Sequence, residues 1–578
     1  MIEKIFPSLT HNYLVLIFKI KNDQKIYFII MKKTIPPFLI LFFSIMFLSC
    51  NAAAGGEIFI RANQAGFLPN DIKTAIIMSK IDLSNTSFSI INAKNEKVIY
   101  QGEIDTSRGS WGKFPFNYQI DFSKITSAGV YHIEIDGKKS FTFKISKNIY
   151  DGITDSLLLF LKVQRCGPTK PFLHEPCHLY DSPQVIGDNV EGGIDVTGGW
   201  HDAGDYVKFL NTTAYTTYLL LFSYEFDKSK FEFDRNNNNE PDVLEEARVG
   251  IDWILRACYK KNRFVTQVQD ARDHSLSWRL PENDSLRYDR PAYTGIGKNM
   301  VGLVSATLSL ASRIWRERFS DKENADKWLT AAKEIYQVRN QVPDVDIVQS
   351  GMYQDTRFWG KLALGAIELY KSTKETKYLT DSFVYGDSAK SDYWWSWGDI
   401  DALAQFRIAE HNPRFKNYLQ NNLIAFNENK NNMIFGEGTA YTWGTTNTFL
   451  GIALQAILWK KLTRSSEYDT LKFFQRDYLL GKNPWGISFV YNIGKNFSKN
   501  FHSQIAHFHN GYLPGAVSAG PAPKSLLDNY QIPRTNFSLS EFNADDIFYY
   551  DDKADYITNE PTIASNATAI FVFGQLVR

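Results

Sequence analysis

The sequence predicts a small all-β sandwich followed by a large all-α domain, and three observations carry that expectation. At 578 residues the chain is too long for one ordinary hydrophobic core. From about Ile58 to Ile145 the apolar pattern has period two, the spacing of half-buried strands. From about Tyr150 onward the period becomes helical.

In the β module Tyr131, Ile133 and Ile135 alternate with His132 and Glu134, and Asp136-Gly137 supplies a hairpin turn before Phe141, Phe143 and Ile145. Several such runs within about 90 residues have the size of an immunoglobulin-like sandwich, placed at 56–147. Helical stretches follow at Ile153–Val163, Asp242–Cys258, Met300–Trp315, Thr446–Leu462 and Thr562–Val577, separated by loops rich in Gly, Asn, Pro and aromatics. No strand–helix alternation marks a parallel sheet and no fixed-period repeat stands out, so 150–578 is expected to be helical.

At the N-terminus Met31-Lys32-Lys33 precedes an apolar run from Ile35 to Leu48, ended by Leu48-Ser49-Cys50-Asn51. The run is too short to span a membrane and has the charge-then-apolar order of a secretory signal. Its end resembles a bacterial lipoprotein signal in which Cys50 is lipidated; a plain cleaved signal is the alternative. Residues 1–50 are then an upstream extension plus signal. The expected location is the bacterial cell envelope, periplasmic or at the surface, with contact to the membrane only through a lipid anchor.

Lys+Arg 64 against Asp+Glu 63 leaves a net charge of +1 with no basic block, which argues against a nucleic-acid partner. Cys166, Cys177 and Cys258 form too sparse a set for a disulfide framework, and Cys258 falls on the apolar face of a helical pattern. Aromatics make up 15% of the chain. Large cores explain them as well as stacking on sugar rings does, and Trp394, Trp395 and Trp397 crowd together in the latter spirit.

The chemistry concentrates in residues 198–206, Gly-Gly-Trp-His-Asp-Ala-Gly-Asp-Tyr. Asp202 and Asp205 stand three apart among small residues, and like charges held close have pKa values pushed apart, which suits acid–base work. A turn with capping aspartates is the plainer reading. A further acid lies in the run Tyr549-x-Asp551-x4-Tyr556-x3-Glu560-x-Thr562-x3-Asn566. Glu560 before Pro561 also reads as a helix-start residue. A glycosidase needs one protonated carboxyl for the leaving oxygen and one carboxylate to activate water or attack the sugar. Glu560 and the Asp pair supply both.

These motifs together resemble glycoside hydrolase family 9, whose best-known members are cellulases, over roughly residues 150–578. Between them Asp273-His274, Trp278, Pro281-Glu282, Arg290-Pro291, Trp443-Gly444, Gly481-Lys482-Asn483-Pro484 and Pro514-Gly515-Ala516 extend the match. The resemblance implies an (α/α)6 barrel behind an immunoglobulin-like domain. It makes Asp205 the general base, Asp202 the residue that helps hold the water, and Glu560 the general acid of an inverting enzyme. It also implies substrate-binding roles for Trp278, Trp443, His502, Gln504 and Tyr556. The histidine motif Ser488–Gln504 retains Gly494, Asn496 and His502, but Phe501 stands where a Pro is usual and Gln504 where an Arg is usual. A neutral amide replaces a charged planar fork there.

Two metal sites are expected. Cys166, Cys177, His178 and His201 make a full Cys2His2 set with no open position, so a zinc there is structural. Relatives with the immunoglobulin-like module hold zinc in this arrangement, and His174 is a competing ligand. Asp234, Asn236, Asn238, Glu240, Asp242 and Glu245 occupy the oxygen-ligand spacing of a calcium loop, although Asn239 replaces the usual Gly and Pro241 interrupts it. A polar loop leading into a helix is the alternative. No organic cofactor is expected.

The functional expectation is a monomeric inverting β-glycosidase on β-1,4-glucans, an endoglucanase. The rivals are an exo-acting β-glucosidase or glucosaminidase, an endoglucanase for xyloglucan or mixed-linkage glucan, and a non-catalytic glycan-binding surface lipoprotein.

Overall fold

The structure, a computed structural model, describes residues 13–19, 26–32, 57–286, 290–346, 353 and 355–577. The chain divides into two compact units, Met1–Glu57 and Ile58–Arg578. In the first, strands β1 (Tyr13–Lys19) and β2 (Ile26–Lys32) pair antiparallel with Tyr13 opposite Lys32. The expected signal run Ile35–Leu48 and Cys50 lie outside the described residues. No helix among the described residues is long and apolar enough to cross a membrane.

The second unit opens with the β module. Strands β3 (Ile58–Arg61), β4 (Thr74–Ser79) and β7 (Phe116–Asp121) form one sheet in the order β3-β4-β7. The facing sheet has the order β10-β8-β5-β6, built from β5 (Ser87–Asn92), β6 (Lys97–Glu103), β8 (Gly129–Ile135) and β10 (Phe143–Ile145); the two-residue β9 (Lys138–Lys139) pairs with β8. The predicted Asp136-Gly137 turn joins β8 to β9. Both residues have positive φ (47° and 73°), as a two-residue hairpin turn with the right twist requires. Ile60, Phe67, Ile77, Ile90, Tyr118 and Ile133 bury their side chains together as the sandwich core.

Twelve helices of nine residues or more follow among the described residues. They are α1 (Ile153–Gln164), α2 (Leu210–Phe226), α3 (Asp242–Ala257), α4 (Lys298–Arg318), α5 (Lys322–Gln337) and α6 (Trp359–Thr373). The second half comprises α7 (Thr376–Ala389), α8 (Asp401–Ala409), α9 (Lys416–Asn432), α10 (Thr445–Thr463), α11 (Asp469–Leu479) and α12 (Ile563–Gly574). The even-numbered helices touch one another in sequence and α12 returns to α2, which closes an inner ring. The odd-numbered helices pack outside it, α3 on α2, α5 on α4, α7 on α6 and α11 on α10. This is the (α/α)6 barrel that the resemblance implied.

The two rings differ in sequence because they differ in surroundings. Nearly every residue of α2, α10 and α12 is buried, so these helices are apolar or small on all faces. In α3 and α5 most charged residues occupy the outward face and an apolar stripe points in, whereas α11 lies under the sandwich and buries Lys472, Arg476 and Asp477 as well. Trp395 belongs to the core rather than to a sugar-stacking surface: it is fully buried and its indole N–H donates to the Tyr215 hydroxyl at 3.1 Å. A small sheet of order β11-β14-β13-β12, from β11 (Val185–Ile186), β12 (Lys208–Phe209), β13 (Phe264–Val268) and β14 (Ala292–Gly295), lies within the helical domain, where no strand was expected. Its strands are too short for a period-two pattern to be read.

The sandwich docks on the outer side of the barrel through buried polar contacts. Arg476 pairs with Asp71 at 2.7 Å, and the Asn63 amide donates to Asp477 at 2.7 Å. Lys482, fully buried, donates to the Thr74 hydroxyl at 2.9 Å and lies 3.4 Å from the Phe474 ring centre. Burial lowers its amine pKa to about 7. The Gly-Lys-Asn-Pro run is therefore an interdomain contact rather than part of the cleft.

Candidate active site

The acidic turn is anchored from behind. Gly198 and Gly199 have φ of 90° and 72°, and a Cβ on Gly199 would sit 2.6 Å from Trp253 Cγ, so only glycine fits there. Trp200 is buried and donates to Glu246 Oε1 at 2.8 Å. Tyr206 is buried as well and its hydroxyl donates to the Arg279 carbonyl. The two aromatics that flank the aspartates thus fasten the turn to the core and do not face substrate. The Asp202 N–H donates to Val207 O at 2.8 Å, which folds the segment back on itself.

This turn forms one wall of a cavity of about 750 Å³. Asp205, Glu560 and Tyr353 line it together with Trp278, Trp443 and Tyr556. Glu560 does not start a helix: Thr562 caps α12, accepting from Ser565 N at 3.1 Å, and Glu560 stands two residues earlier in extended backbone. From there its carboxylate reaches across the chain to accept from Gly204 N at 3.0 Å. Asp555 holds the preceding turn Tyr556–Asn559 by accepting from Ile557 N and Thr558 N, each at 3.0 Å.

The three carboxyls share one low-dielectric environment. Burial pushes Glu560 well above the usual carboxylate range, and the charges of Asp205 and Asp202 push it further; the Gly204 N–H pulls the other way. Burial and then the charge of Asp273 raise Asp205, while His274, with Nδ1 at 3.6 Å, lowers it. Asp202 lies deeper, 1% exposed, and accepts from the Thr212 hydroxyl. Burial raises its carboxyl to about 7. Three acids this close cannot all ionise, so at neutral pH one is held protonated beside an ionised one. That is the charge state general acid–base cleavage needs.

Behind Asp205 is a charged layer. Arg290 bridges Asp273 at 3.0 Å and Asp284 at 2.9 Å, and Arg279 pairs with both of the same carboxylates. The Gln504 side-chain oxygen accepts from the Arg279 backbone N–H at 3.1 Å and from its guanidinium Nη1 at 3.5 Å, so the guanidinium near this part of the cleft belongs to residue 279. His502 donates from Nδ1 to Lys553 O at 2.8 Å, which fixes Nε2 as the acceptor when the ring is neutral. Burial keeps it neutral by lowering its pKa. Its ring touches Trp278 at 5.3 Å and Tyr556 at 5.7 Å. All five proposed substrate-binding residues therefore line one cavity. Tyr353, whose hydroxyl faces Asp202, was not anticipated, because no spacing or motif marks a lone tyrosine in its loop.

Cys166, Cys177, His178 and His201 also converge, all four buried, with ligand atoms within 4.8 Å of one another. Cys166 Sγ is 3.7 Å from His178 Nδ1, Cys177 Sγ is 3.8 Å from His201 Nε2, and the two ring nitrogens are 3.1 Å apart. A zinc tetrahedron with ordinary bond lengths has S–N edges of about 3.6 Å and an N–N edge of about 3.3 Å. His178 donates Nε2–H to Asp284 at 3.0 Å, the carboxylate support that orients a metal-ligating imidazole. Burial lowers His201 to about 4, so it is neutral as a ligand must be. The residues fit zinc. His174 does not join them, since both of its nitrogens face backbone carbonyls, at 2.8 and 2.9 Å.

The loop before α3 satisfies most of its own polar groups, while Glu240 Oε1 is buried without a hydrogen-bond partner. Asp234 accepts from Asn238 N and Asn239 N at 3.2 and 2.7 Å, Asn236 Oδ1 from Asn238 N at 3.1 Å, and Asn238 Oδ1 from Glu240 N at 2.8 Å. The Asn236 amide donates to Glu245 at 2.7 Å, and Asp242 accepts from Arg235 N at 3.2 Å. Cys258 caps the C-terminal end of α3 and packs against the core from a partly buried position.

Comparison with known proteins agrees with this geometry. Residues 150–573 match the model for glycosyl hydrolase family 9, and residues 57–140 match that for the cellulase N-terminal ig-like domain. Endoglucanase D of Acetivibrio thermocellus is 25% identical over 84% of this chain and 81% of its own length. A cellodextrinase of Butyrivibrio fibrisolvens is 25% identical over 90% of this chain and 99% of its own. Among solved structures, a metagenome-derived family 9 endoglucanase superposes with a TM-score of 0.78 at 24% identity, covering 90% of this chain and 99% of that one. A Zn-binding triple mutant of the family 9 endoglucanase J30 has a TM-score of 0.76 at 21% identity, covering 88% and 99%. The chain belongs to glycosyl hydrolase family 9, with an immunoglobulin-like domain ahead of its catalytic barrel.

Proposed function

We propose that this glycoside hydrolase cleaves β-1,4-glucosidic bonds of cellulose-type glucans by inversion, as an endoglucanase. The observation that carries the reading is Glu560, its carboxyl kept protonated by burial and by Asp205 at the wall of an aromatic-lined cavity. Glu560 gives its proton to the leaving oxygen, and Asp205, whose carboxylate His274 and the Val207 N–H favour against the burial that raises it, takes the proton of the attacking water. Asp202, fastened by Thr212, positions that water from below. His502 Nε2, the Gln504 amide nitrogen and the faces of Trp278, Trp443 and Tyr556 bind the sugars. The test is digestion of cellulose, xyloglucan and mixed-linkage glucan with sizing of the products, alongside Asp205→Ala. Mixed intermediate lengths, abolished in the variant, are expected. Monomer alone would establish the exo-acting rival, and unchanged hydrolysis by the variant would overturn the base assignment.

Zinc would be held by Cys166, Cys177, His178 and His201, filling all four positions, so its chemistry is structural. His201 adjoins Asp202, and this places the brace directly behind the acidic turn. A second, calcium site would use Asp234, Asn236, Asn238, Asp242 and Glu245, whose oxygens already accept from loop N–H groups or, for Glu245, from the Asn236 and Asn238 amides. A melting temperature unmoved by calcium would reject it. Export and anchoring through Cys50 complete the proposal, tested by metabolic lipid labelling against Cys50→Ser.

A further inference from the structure

Asp205 is tied on its upstream side by the bonds that Gly204 makes with Glu560 and Gln504. Its downstream side is held by a guanidinium that does not line the cavity, that of Arg290, 1% exposed. The Tyr206 N–H, part of the peptide that follows Asp205, donates to Asp273 Oδ2 at 3.2 Å. The Tyr206 carbonyl accepts from Arg290 Nη1 at 2.9 Å, and Arg290 Nη2 donates to the same Asp273 oxygen at 3.0 Å. Guanidinium and carboxylate thus close a ring around the Tyr206 backbone. Asp205 Oδ1 accepts from Val207 N at 3.2 Å, in the very peptide whose carbonyl Arg290 holds. A shift of this backbone therefore moves both the Asp205 Cα and the N–H bonded to its carboxylate.

The small sheet explains why these groups meet. β12 and β14 flank β13, with Lys208 opposite Val268 and Val268 opposite Ala292. Both pairings are antiparallel, so β12 and β14 run the same way. Tyr206 and Arg290 each stand two residues ahead of those paired positions and enter from one end, the end from which the chain leaves β13 towards Asp273. A slip of one residue in such a ladder would turn every side chain over, so the pairing fixes the height of Arg290 against Tyr206. The guanidinium is held in its turn. Its Nε and Nη2 donate to Asp284 Oδ2 at 3.1 and 2.9 Å, and Asp284 Oδ1 accepts from Leu286 N at 3.0 Å and Arg279 Nε at 2.7 Å. A planar fork with donors in fixed directions meets two carboxylates and a carbonyl at once, which the compact ammonium of lysine cannot.

We propose that Arg290 is a positioning residue for catalysis: set in register by the β12-β13-β14 sheet, its guanidinium holds the Tyr206 backbone and through it aims the Asp205 carboxylate at the attacking water. This rests on the reading of Asp205 as the base given above.

Arg290→Lys in the full chain keeps the positive charge and removes the fork. On cellohexaose kcat is expected to fall on the order of 10–100-fold while KM changes less than about twofold, since the sugar contacts stay in place. The same substitution is then made in an Asp205→Ala background and the rate read with azide added. Azide needs no base: it bonds to the anomeric carbon as the bond to the leaving oxygen breaks, Glu560 protonates that oxygen, and the product is the glycosyl azide. With no carboxylate left to aim, Arg290→Lys should change that rate less than about twofold. Melting midpoint and zinc content are read on every variant. If Arg290→Lys does not fold, Asp273→Asn loosens the same ring from the other side and is judged by the same criteria. Undiminished kcat, a loss carried by KM, an equal loss in the Asp205→Ala background, or a rate loss matched by an equal loss of zinc would overturn the proposal alone. Wild-type hydrolysis by Asp205→Ala would overturn the base assignment and this inference with it.

Discussion

Gly204 gives the sharpest test of how the active site is assembled. It sits between the two aspartates, and its backbone conformation is one alanine tolerates, so any effect of Gly204→Ala comes from space alone. The added Cβ would lie 2.0 Å from the His502 carbonyl oxygen and 3.0 Å from Glu560 Oε1. An ordinary contact begins at about 3.4 Å, so the turn carrying Asp205 and the segments carrying His502 and Glu560 must separate by on the order of 1 Å. Those segments are tied here by two bonds of 3.0 Å, from Gly204 N to Glu560 and from Gln504 N to Gly204 O. A misplacement of about 1 Å costs on the order of 100-fold in rate, or about 2.7 kcal/mol on the barrier. The assay is kcat/KM on cellohexaose together with a thermal melt. The expected result is a loss of about 100-fold with the fold intact. Wild-type kcat/KM in Gly204→Ala would refute the claim that this backbone contact sets the distance between acid and base.

Glu560→Gln should lower kcat on unactivated oligosaccharides by about 10²–10⁴-fold and spare dinitrophenyl glycosides, whose leaving group needs no proton; equal losses on both would remove Glu560 as the acid. The alkaline limb of the kcat/KM profile should follow Glu560, raised by burial and by Asp205, and should disappear in Glu560→Gln. Elemental analysis of the unmutated protein should give roughly one zinc per chain, and Cys166→Ser should lose it and melt earlier; zinc-free protein of undiminished stability would reject the site. Lys482, with an amine near 7 when folded against 10.5 unfolded, resists protonation in the native state, so stability present above about pH 10.5 is lost as pH falls through about 7. Over the whole range the difference is on the order of 5 kcal/mol. Lys482→Met should therefore gain about 2–3 kcal/mol on the wild type between about pH 9 and about pH 7, and a pH-independent difference in denaturation midpoint would refute it.

Much of this was legible in the order of residues. Period-two alternation in Tyr131, Ile133 and Ile135 marked a sandwich strand because one face of that strand is buried and the other is not. Helices α1, α3, α4 and α10 were found to within a few residues from their apolar spacing. Asp202, Asp205, Glu560 and the Cys2His2 set stood out as candidates by residue type and by the family resemblance, and the structure brings each group together. Helix α2 went unread: buried on every face, it has no polar side to give a period. The small sheet around β13 was missed for want of length. Whether Trp395 faced sugar or core stayed open in the sequence, because residue type is the same in either place, and its full burial assigns it to the core.

The sequence by itself determined which groups are capable of the chemistry, since donors, acids and metal ligands are properties of residue type. Only the tertiary structure decided their charge states and partners. The contact between Gly204 N and Glu560 joins positions 356 residues apart. The burial that raises Glu560 and the Arg279 guanidinium beside Gln504 both arise where loops distant in sequence meet. Desolvation and contact depend on what surrounds a side chain, and no local pattern along the chain encodes that.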